Sequence, residues 1–326
     1  MYDLIIIGGS AAATAAGVYA ARRGLNIVVV TKEFGGEVAT SGEVANWPGI
    51  IKTDGVALAQ QFKEHLASYK VPIQEGVLVE SIVKQDDGIF CVSGRTDHGP
   101  KMAMERLPDG QDGTSPCDFL AKAVIVTTGL HPRELNIPGE KEYRGKGVSY
   151  CTVCDGPVFG GKTTAVIGGG NSALEAGLML ADIASQVYVI NKNSQFKGEK
   201  VLLDNLMSKK NVVIIYSAMT TEIIGDQFVT GLKYKDKDGA EQELKVEGIF
   251  VHIGQIPNSG VVPPEVIKDQ FGQIKVNANC ETNIPGLYAA GDVTDVPFKQ
   301  IVIAAAQGCI AALSAVQYLN RLEHKT

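Results

Sequence analysis

Hydrophobic and small residues follow one another in blocks at the start of the chain. An apolar run from Leu4 to Ile7 precedes the small-residue turn Gly8-Gly9-Ser10-Ala11, an alanine-rich segment continues to about Gly24, and a second apolar run covers Ile27 to Val30. Short apolar runs on either side of a glycine-containing turn and a longer alanine-rich segment predict a strand, a helix and a second strand. The N-terminal region is therefore expected to form a β-α-β unit, the arrangement that binds dinucleotides.

The same pattern returns in the middle of the chain. Thr164 to Ile167 are predicted to form a strand, Gly168 to Gly170 a turn, Ser172 to Ala184 a helix and Gln186 to Ile190 a second strand. A glycine-rich turn at this place lets the backbone approach a pyrophosphate, which the helix N-terminus attracts. Two such turns, each between a strand and a helix, predict two nucleotide-binding units in one chain.

Small residues occupy the key positions of both turns. These positions are Gly8, Ser10 and Ala13 in the first turn and Gly168, Gly170 and Ala173 in the second. Serine and alanine stand in the first turn where glycines are usual, but both are still small enough for a close backbone approach. The second turn therefore keeps the dinucleotide spacing more strictly than the first.

Length, composition and charge limit the possible classes of protein. A chain of 326 residues with 45% hydrophobic residues has room for two domains. The net charge of −6 gives no sign of a basic surface, so nucleic acid is not an expected partner. The apolar stretches from Leu4 to Ala21 and from Gln300 to Leu319 are interpreted as packed elements, because they are rich in alanine and contain glycine or glutamine. No membrane partner is expected.

Two of the six cysteines form a motif, Cys151-Thr152-Val153-Cys154-Asp155. Two intervening residues let one helical turn bring the sulfurs together, and a thiolate at a helix N-terminus reacts near neutral pH. The pair is therefore predicted to cycle between dithiol and disulfide. Asp155 is a candidate proton shuttle for this exchange or, alternatively, only a helix cap.

Half of a zinc site is the main alternative to a redox pair. A zinc site needs further ligands at compatible spacing, but His98, His131 and His252 lie in separate segments, so no metal is expected. The remaining cysteines are interpreted as isolated, small buried hydrophobic residues; they are Cys91, Cys117, Cys280 and Cys309. Because the chain lacks the dense cysteine framework of small secreted proteins, a cytoplasmic location is predicted.

Several motifs, in a specific order, resemble those of a known family. They are Gly35-Gly36-Glu37-Val38, Val44 to Gly49, Thr127-Thr128-Gly129, Cys151 to Gly156, Gly168 to Ala173, Gly254 to Asn258, Ala289 to Val293 and Lys299 to Ile301. Over nearly its whole length the chain resembles the low-molecular-weight thioredoxin reductases, which are FAD-dependent pyridine nucleotide-disulfide oxidoreductases. The resemblance implies an α/β fold with two Rossmann-like three-layer nucleotide-binding domains, the second inserted into the first.

The resemblance also implies domain limits and site residues. It assigns residues 1–131 and 247–326 to a discontinuous FAD-binding domain and residues 132–246 to a pyridine-nucleotide-like domain that carries the cysteine pair. Cys154 would face the flavin, and Cys151 would attack the disulfide of a thioredoxin-like protein. The residues expected near FAD are Gly8, Ser10, Ala11, Ala13, Gly35, Gly36, Glu37, Val38, Asn46, Thr128, Gly129, Gly291, Asp292, Lys299, Gln300 and Ile301. Those expected near the pyridine nucleotide are Gly168, Gly170, Asn171, Ser172, Ala173, Asn191, Lys192 and Lys197. A homodimer is the family's usual assembly.

The segment from Asn191 to Lys197 departs from the family pattern. NADPH-specific members carry a His-Arg-Arg stretch and a further arginine here, whereas this chain offers only lysines, which present a point charge instead of arginine's planar fork. No acidic residue takes the place of Asn191 to bind a free ribose 2′-hydroxyl. NADPH and NADH therefore both stay open as donors. A ferredoxin-type donor, used by some relatives, is an alternative that the intact turn from Gly168 to Gly170 disfavours.

The sequence favours a reductase that passes electrons from NADPH or NADH through FAD and the cysteine pair to a thioredoxin-like protein. Two alternatives keep the same fold: a dithiol oxidase that passes electrons to oxygen, and a flavin-binding redox sensor without efficient turnover. The polar segment from Gly94 to Phe119 is predicted to be a long hairpin or surface loop. It is interpreted as a tolerated insertion, with contact to a partner as the alternative.

Overall fold

The computed structural model describes residues 1–41, 43–96 and 117–323. Within them the helices are α1 (Ala11–Ala21), α2 (Gly55–Ser68), α3 (Thr152–Asp155), α4 (Asn171–Ala181), α5 (Lys200–Met207) and α6 (Ile301–Glu323). The strands are β1 (Tyr2–Ile7), β2 (Ile27–Val30), β3 (Glu43–Val44), β4 (Thr53–Asp54), β5 (Ile73–Gln74), β6 (Val77–Lys84), β7 (Phe90–Thr96), β8 (Phe119–Val126), β9 (Leu130–Pro132), β10 (Val148–Ser149), β11 (Thr163–Ile167), β12 (Gln186–Asn191), β13 (Val212–Tyr216), β14 (Met219–Gly225), β15 (Val229–Lys235), β16 (Glu241–Lys245), β17 (Gly248–Val251), β18 (Gln255–Pro257) and β19 (Leu287–Ala289).

The chain folds into two compact units. Unit 1 comprises Met1–Ala39, Gly55–His131 and Ile256–Thr326, and unit 2 comprises Thr40–Asp54 and Pro132–Gln255. Most of unit 2 is therefore inserted into unit 1, and the predicted α/β class with two Rossmann-like domains is confirmed.

Unit 1 is built on a sheet with the strand order β5-β2-β1-β8-β7-β6, and β19 also pairs with β8. Leu4 and Ile6 of β1 face a core shared with α1 and α6, whereas Ile5 and Ile7 face a second core on the opposite side. Because side chains alternate across a strand, a strand that is buried on both faces is apolar throughout. The uninterrupted run of apolar residues at the start of the chain follows from this burial.

Unit 2 repeats this plan with a five-stranded parallel sheet in the order β10-β17-β11-β12-β13. Helix α4 covers one face through Leu174 and Leu180, and the opposite face packs against a three-stranded antiparallel sheet of β14, β15 and β16. The sheet is therefore covered on both faces, as parallel sheets require.

The limits of the compact units differ from the predicted domain limits at two places. Residues 247–255 were assigned to the FAD domain, but β17 pairs with β10 and β11 in the sheet of unit 2. Thr40–Asp54 also belongs to unit 2, where Val44 is buried, β3 contacts α3 and the Arg144 guanidinium donates to Thr40 Oγ1 at 3.3 Å. Hydrogen bonding and packing by short strands, which motif spacing does not reveal, set these limits.

Helix α6 is apolar along most of its length. Within Ile301–Leu322 its most apolar 18-residue window has a mean hydropathy of 1.6, so by length and composition it could cross a membrane, and 28% of that window is buried. Ala311, Ala312 and Ala315 lie in the core of unit 1 beside α1. Gly308 lies so close to α1 that an added Cβ would be 2.1 Å from the Ala12 carbonyl oxygen. Small residues therefore let α1 and α6 approach closely, as expected for a packed helix.

The interpretation of Cys91 and Cys117 as isolated residues is wrong. They form a disulfide across 26 positions of sequence, because β7 and β8 pair antiparallel and bring their Cα atoms to 5.4 Å. Cys280 is buried and Cys309 is half-buried, and both have free thiols. The predicted hairpin or loop between Gly94 and Phe119 falls mainly on residues 97–116, outside the described residues.

Candidate active site and cofactor turns

The first glycine turn follows β1 and leads into α1. A Cβ on Gly8, whose φ is +121°, would lie 2.4 Å from the Thr127 carbonyl oxygen, and the Thr127 N–H donates to Ile7 O at 2.7 Å. Glycine is therefore required where the ends of β1 and β8 meet. This places the N-terminus of α1, with its unpaired N–H groups, at the carboxyl edge of the sheet, where nucleotides bind in this class of fold.

The loop after β2 holds the first turn in place. A Cβ on Gly9 would meet Thr31 Oγ1 at 2.8 Å, and the Gly35 N–H donates to Gly9 O at 2.6 Å. Ser10, the N-cap of α1, donates its hydroxyl to Gly35 O at 2.7 Å. The structure thus brings together the predicted residues of the turn and of the adjoining 3-10 turn Gly36–Val38; they are Gly8, Ser10, Ala11, Ala13, Gly35, Gly36, Glu37 and Val38.

The second glycine turn, between β11 and α4, has the same construction. A Cβ on Gly168 would lie 2.2 Å from the His252 carbonyl oxygen, and the His252 N–H donates to Ile167 O at 2.8 Å. A Cβ on Gly169 would meet Asn191 Oδ1 at 2.6 Å, and the Lys197 N–H donates to Gly169 O at 2.7 Å. The turn predicted from the glycine spacing is therefore formed by contacts from two other strands.

Open space lies at the N-terminus of α4. Gly170 is its N-cap, and an added Cβ there would have no atom within 4 Å. Asn171 and Ser172 begin the helix, and Ala173 is fully buried against Gly168. Backbone N–H groups at a helix N-terminus attract anions, so the turn is suited to a pyrophosphate.

Asn191 supports the second turn through its side chain. It is 1% exposed, its Nδ2 donates to Gln195 O at 3.0 Å, and its Oδ1 accepts from the Asn193 N–H at 3.0 Å. Both ends of its amide are therefore engaged by the loop that follows β12, whereas Lys192 and Lys197 are exposed. Asn191 can shape that loop, and the lysines are the groups that can reach a nucleotide.

A buried carboxylate oxygen in unit 1 lacks a hydrogen-bond partner. Asp292 Oδ1 is the atom in question: no donor reaches it from the described residues. Burial raises the pKa of Asp292 to about 6, nearby Lys299 opposes this shift, and Glu37 adds to it. Since buried polar atoms are nearly always paired, the unpaired oxygen fits a ligand that offers hydroxyl donors, as the ribityl chain of FAD does.

Other predicted FAD residues lie next to Asp292 in the chain or in the segment that leads into α6. Gly291, at φ +79°, packs against Ala12 of α1, and the Lys299 ammonium donates to Gln273 Oε1 and Thr294 O, both at 2.7 Å. Ile301 is the first residue of α6, and Gln300 O accepts from the Ala304 N–H at 2.9 Å. The residues present in unit 1 therefore fit FAD.

Asn258 is a residue of this region that the predicted set missed. Its Nδ2 donates to Thr128 O at 2.9 Å, Thr128 Oγ1 donates to Asn258 O at 2.7 Å, and its N–H donates to Gly129 O at 3.0 Å. It fixes the predicted residues Thr128 and Gly129 after β8. The motif Gly254 to Asn258 was the signal that could have identified it.

Asn46 is not grouped with the other predicted FAD residues. It lies in Thr40–Asp54, which belongs to unit 2, and it is exposed. The pairing of β3 with β4 holds this segment together. Its predicted contact with FAD stays a prediction.

Cys151 and Cys154 form the predicted disulfide. Cys151 is the N-cap of α3, the two Cα atoms are 5.3 Å apart, and the Cys154 N–H donates to Cys151 Sγ at 3.2 Å. An N–H donor favours the charged form of the sulfur that accepts it. Of the two sulfurs, that of Cys151 is therefore prepared to carry negative charge when the pair is reduced.

Asp155 lies beside the disulfide and bonds to Ser149. The Ser149 hydroxyl donates to Asp155 Oδ2 at 2.5 Å and accepts from the Cys151 N–H at 3.0 Å. Burial raises the pKa of Asp155, and the Ser149 hydrogen bond opposes that shift. Its side chain makes no capping hydrogen bond to the following 3-10 turn Gly156–Phe159. A carboxyl group with a raised pKa next to a thiol pair can donate and accept a proton.

Two neighbours of the cysteine helix were missed by sequence reasoning. His252 Nε2 lies 2.7 Å from Thr152 Oγ1, and burial lowers the pKa of His252 to about 4, so the ring is neutral at physiological pH. Tyr150 donates its hydroxyl to Glu140 Oε1 at 2.8 Å, and burial raises the Tyr150 pKa. In the sequence, the only indication that His252 could belong to the site was its position directly after a buried strand.

No metal site accompanies these groups in the parts of the chain that the structure describes, where no cluster of three or more His, Cys, Asp or Glu side chains could hold an ion.

Comparison with known proteins gives the family. Residues 2–308 match the model of the pyridine nucleotide-disulphide oxidoreductases, and the chain belongs to this family. Membership in this family implies FAD and a pyridine nucleotide as cofactors.

Individual relatives carry different names. The chain is 42% identical over 322 residues to the F component of the Pseudomonas putida alkyl hydroperoxide reductase, covering 98% of this chain and 58% of the relative. It is 37% identical over 321 residues to a Bacillus subtilis protein named NADH dehydrogenase, covering 98% of this chain and 59% of that protein. The chain thus spans less than two thirds of the length of these curated relatives. The crystal structure of thioredoxin reductase from Streptococcus pyogenes superposes with a TM-score of 0.87 at 31% identity, covering 98% of this chain and 99% of that one.

Proposed function

We propose that the chain is a disulfide reductase that takes electrons from NADH or NADPH and delivers them through FAD and the Cys151–Cys154 pair to a thioredoxin-like protein. The observation that carries the proposal is the disulfide itself, with an N–H donor on the Cys151 sulfur and a carboxyl group of raised pKa beside it. Bound FAD supplies the two-electron carrier between the nucleotide and the disulfide.

The residues of the two turns have separate roles in this proposal. The turn at Gly8 to Ala11, the loop at Gly35 to Val38 and Asp292 would hold FAD. The turn at Gly168 to Ser172, with Lys192 and Lys197, would hold the nucleotide. The open space beside Gly170 and the unpaired oxygen of Asp292 support these assignments.

The cysteines carry out the exchange in balanced steps. An electron pair enters at Cys154, the S–S bond breaks, and Cys151 leaves as a thiolate stabilised by the Cys154 N–H. The Cys151 thiolate attacks the partner's disulfide and forms a mixed disulfide, releasing one partner thiolate. Cys154 then attacks the Cys151 sulfur, which restores the internal disulfide and releases the second partner thiolate. Asp155 supplies one of the two protons that the partner dithiol needs, and solvent supplies the other.

NADH is the donor that we favour. The exposed positively charged side chains in the loop after β12 are Lys192 and Lys197, without the arginine fork that suits a 2′-phosphate. The Bacillus subtilis relative is named NADH dehydrogenase, which supports the same choice.

A peroxide-reducing system is the second candidate for the partner. The Pseudomonas putida relative is named as part of an alkyl hydroperoxide reductase, which favours a peroxiredoxin-type protein as the final electron acceptor. The chemistry at Cys151 would be the same, because either partner presents a disulfide to the thiolate.

A homodimer and a cytoplasmic location complete the proposal. Large apolar side chains are exposed on α1 and α6, namely Tyr19, Val302 and Ile310. Burying such side chains against a second copy would remove apolar area from water. A cytoplasmic location would keep the catalytic thiols in a reducing environment.

An anaerobic titration of the purified yellow protein tests this function. We expect a first equivalent of NADH to make Cys151 and Cys154 reactive towards an alkylating reagent and a second equivalent to bleach the flavin absorbance, because the disulfide and the flavin each take up two electrons. A Cys151→Ser variant should still be bleached but should lose at least about 1000-fold of the activity on a disulfide partner, since the attacking sulfur is gone. Cys309→Ser, at a half-buried free thiol, is the matched control and should keep full activity.

The alternatives give different results in the same experiment. Bleaching by dithionite but by neither nucleotide would reject the pyridine-nucleotide step and favour a ferredoxin-type donor or a sensor. Rapid reoxidation of the flavin by oxygen with a dithiol substrate would identify a dithiol oxidase.

A further inference from the structure

Cys91 and Cys117 form a second disulfide at one edge of the unit 1 sheet. Cys91 is in β7, and Cys117 lies two positions before the first residue of β8. The two strands are antiparallel, and Val92 pairs with Phe119 in their register. This pairing places the cysteine Cα atoms 5.4 Å apart, within the usual range for a disulfide.

Backbone contacts hold the two cysteines together independently of the S–S bond. The Asp118 N–H donates to Val92 O at 3.2 Å, and the Gly94 N–H donates to Asp118 Oδ2 at 2.9 Å. These hydrogen bonds fix the residue next to each cysteine. After reduction the thiols would therefore remain within reach of one another, so that the bond can re-form.

The second disulfide lies away from the predicted FAD turn. Cys117 is at the amino end of β8, whereas Thr127 and the Gly8 turn are at its carboxyl end. A strand of this length separates the two ends by about 25 Å. The second disulfide is therefore not in contact with the predicted FAD turn of unit 1.

The two cysteines differ in their exposure to solvent. Cys91 is 7% exposed, whereas Cys117 is more exposed and its Sγ lies 3.9 Å from the Gln85 amide nitrogen, which donates to it. Exchange depends on access to the attacked sulfur, so an external thiol reaches Cys117 first.

We propose that Cys91 and Cys117 form a reversible thiol–disulfide pair that exchanges with low-molecular-weight thiols through Cys117. In the reducing direction an external thiolate attacks Cys117 Sγ and Cys91 leaves, and a second external thiolate releases Cys117. The external thiols lose two electrons and become a disulfide, and the two cysteines take up two protons. The reverse reaction uses an external disulfide as the oxidant. The pair is thus a redox modification site separate from Cys151 and Cys154.

Equilibration of the full-length flavoprotein in glutathione buffers tests the proposal. The protein is held at a series of ratios of reduced to oxidised glutathione, quenched in acid, alkylated and digested, and the Cys91 and Cys117 peptides are measured by mass spectrometry. We expect the linked peptide pair to predominate in oxidised glutathione, to be lost in excess reduced glutathione, and to return when the buffer is reversed. Cys309→Ser is the matched control and should leave the transition unchanged.

Single variants test the point of entry. In Cys91→Ser the remaining Cys117 should acquire glutathione faster than Cys91 does in Cys117→Ser, because Cys117 is the more exposed residue. The wild-type titration needs neither variant to fold. A linked pair that persists in excess reduced glutathione would overturn the proposal, as would two thiols that stay alkylatable at every ratio or glutathione adducts without a linked pair.

Discussion

The two glycine turns of this chain can be compared residue by residue. Gly8 and Gly168 each lie against a carbonyl oxygen of a neighbouring strand end, that of Thr127 in unit 1 and that of His252 in unit 2. The next glycine in each turn lies against the side chain that ends or follows the second strand, Thr31 or Asn191. In each case a backbone N–H from the following loop bonds to that second glycine's carbonyl, at 2.6 Å or 2.7 Å. The same physical solution is therefore used twice.

The turns differ at the N-cap and in the loop that closes over them. Ser10 bonds to Gly35 in the first turn, whereas Gly170 leaves open space in the second. The closing residue is Gly35 in unit 1 and Lys197 in unit 2. A glycine lets the backbone of the loop approach the ligand closely, and a lysine adds a positive charge. The backbone geometry thus suits each turn to a phosphate group, and the two turns differ in their N-cap and loop residues.

The largest predicted effect comes from adding a methyl group at the first glycine of either turn. Gly8→Ala would place Cβ 2.4 Å from a backbone oxygen at φ +121°, and Gly168→Ala would place it 2.2 Å from one. Each substitution should destabilise its turn by about 3 kcal/mol or more. We expect Gly8→Ala to purify without flavin, and Gly168→Ala to keep flavin but to be bleached at least about 100-fold more slowly by NADH.

Flavin content and stopped-flow bleaching rates measure these two outcomes. Gly260→Ala, at a glycine with open space around its Cβ position, is the control and should match the wild type. Loss of flavin from Gly168→Ala but not from Gly8→Ala would reverse the assignment of the two turns.

The second prediction alters the N-cap residue of each turn, a position at which the two turns differ. Gly170→Ala adds a methyl group to open space, so the fold should be unaffected while the KM for NADH rises by about ten- to a hundredfold through a clash with bound phosphate. Ser10→Gly removes the hydrogen bond to Gly35, worth about 1 kcal/mol, and should weaken FAD binding several-fold. Steady-state kinetics and flavin titration measure the two effects. An unchanged KM in Gly170→Ala would show that the nucleotide does not use this turn.

The third prediction compares the buried carboxylates of the two units. Glu140 in unit 2 is fully buried and accepts hydrogen bonds from Tyr150, Leu135 and Asn136, whereas Asp292 has an unpaired oxygen. Burial raises the Asp292 pKa to about 6, so its stabilising contribution is complete below its ordinary value of 3.8 and is lost as pH rises through 6. After removal of the flavin, the free energy of unfolding of Asp292→Asn should exceed that of the wild type by up to about 2–3 kcal/mol at neutral pH. This difference should vanish below about pH 4.

Denaturant unfolding at several pH values measures that difference. FAD affinity is a second measurement, in which the variant should perform worse than the wild type. The same Asp292→Asn variant should bind FAD more weakly, because a carboxylate that accepts from a ligand hydroxyl is lost. Glu140→Gln is the control and should lose stability at neutral pH. If Asp292→Asn binds FAD as well as the wild type does, Asp292 is not a flavin ligand.

The fourth prediction concerns His252, the counterpart of Thr127. Burial lowers the pKa of His252 to about 4 from 6.5, so the neutral ring stabilises the fold above pH 6.5, and this contribution is lost as pH falls towards 4. Solvent at the partly exposed ring reduces the effect. Over that pH range the free energy of unfolding should fall by about 1–2 kcal/mol less in His252→Gln than in the wild type. Thermal unfolding of both proteins at about pH 7 and pH 4.5 checks this. Parallel losses in the two proteins would show that His252 does not titrate with unfolding.

The local pattern of hydrophobic and small residues correctly predicted the strands and helices that flank both glycine turns. The strand at Ile27–Val30 matches its predicted limits, and β1, β11, α4 and β12 lie within three residues of theirs. The cysteine pair was also predicted, because its spacing is a local property of one helical turn. The unpaired oxygen of Asp292 and the contact between His252 and Thr152 were not, since each depends on which distant segments are packed together.

The sequence by itself determined the α/β class, the two dinucleotide turns and the Cys151–Cys154 motif, because these depend on hydrophobic periodicity and on residues close together in the chain. The tertiary structure alone decided the limits of the units, the placement of Thr40–Asp54 with unit 2 and the pairing of Cys91 with Cys117. Each of these follows from strand pairing between segments far apart in sequence, and the choice among possible partners is made by packing of the whole fold.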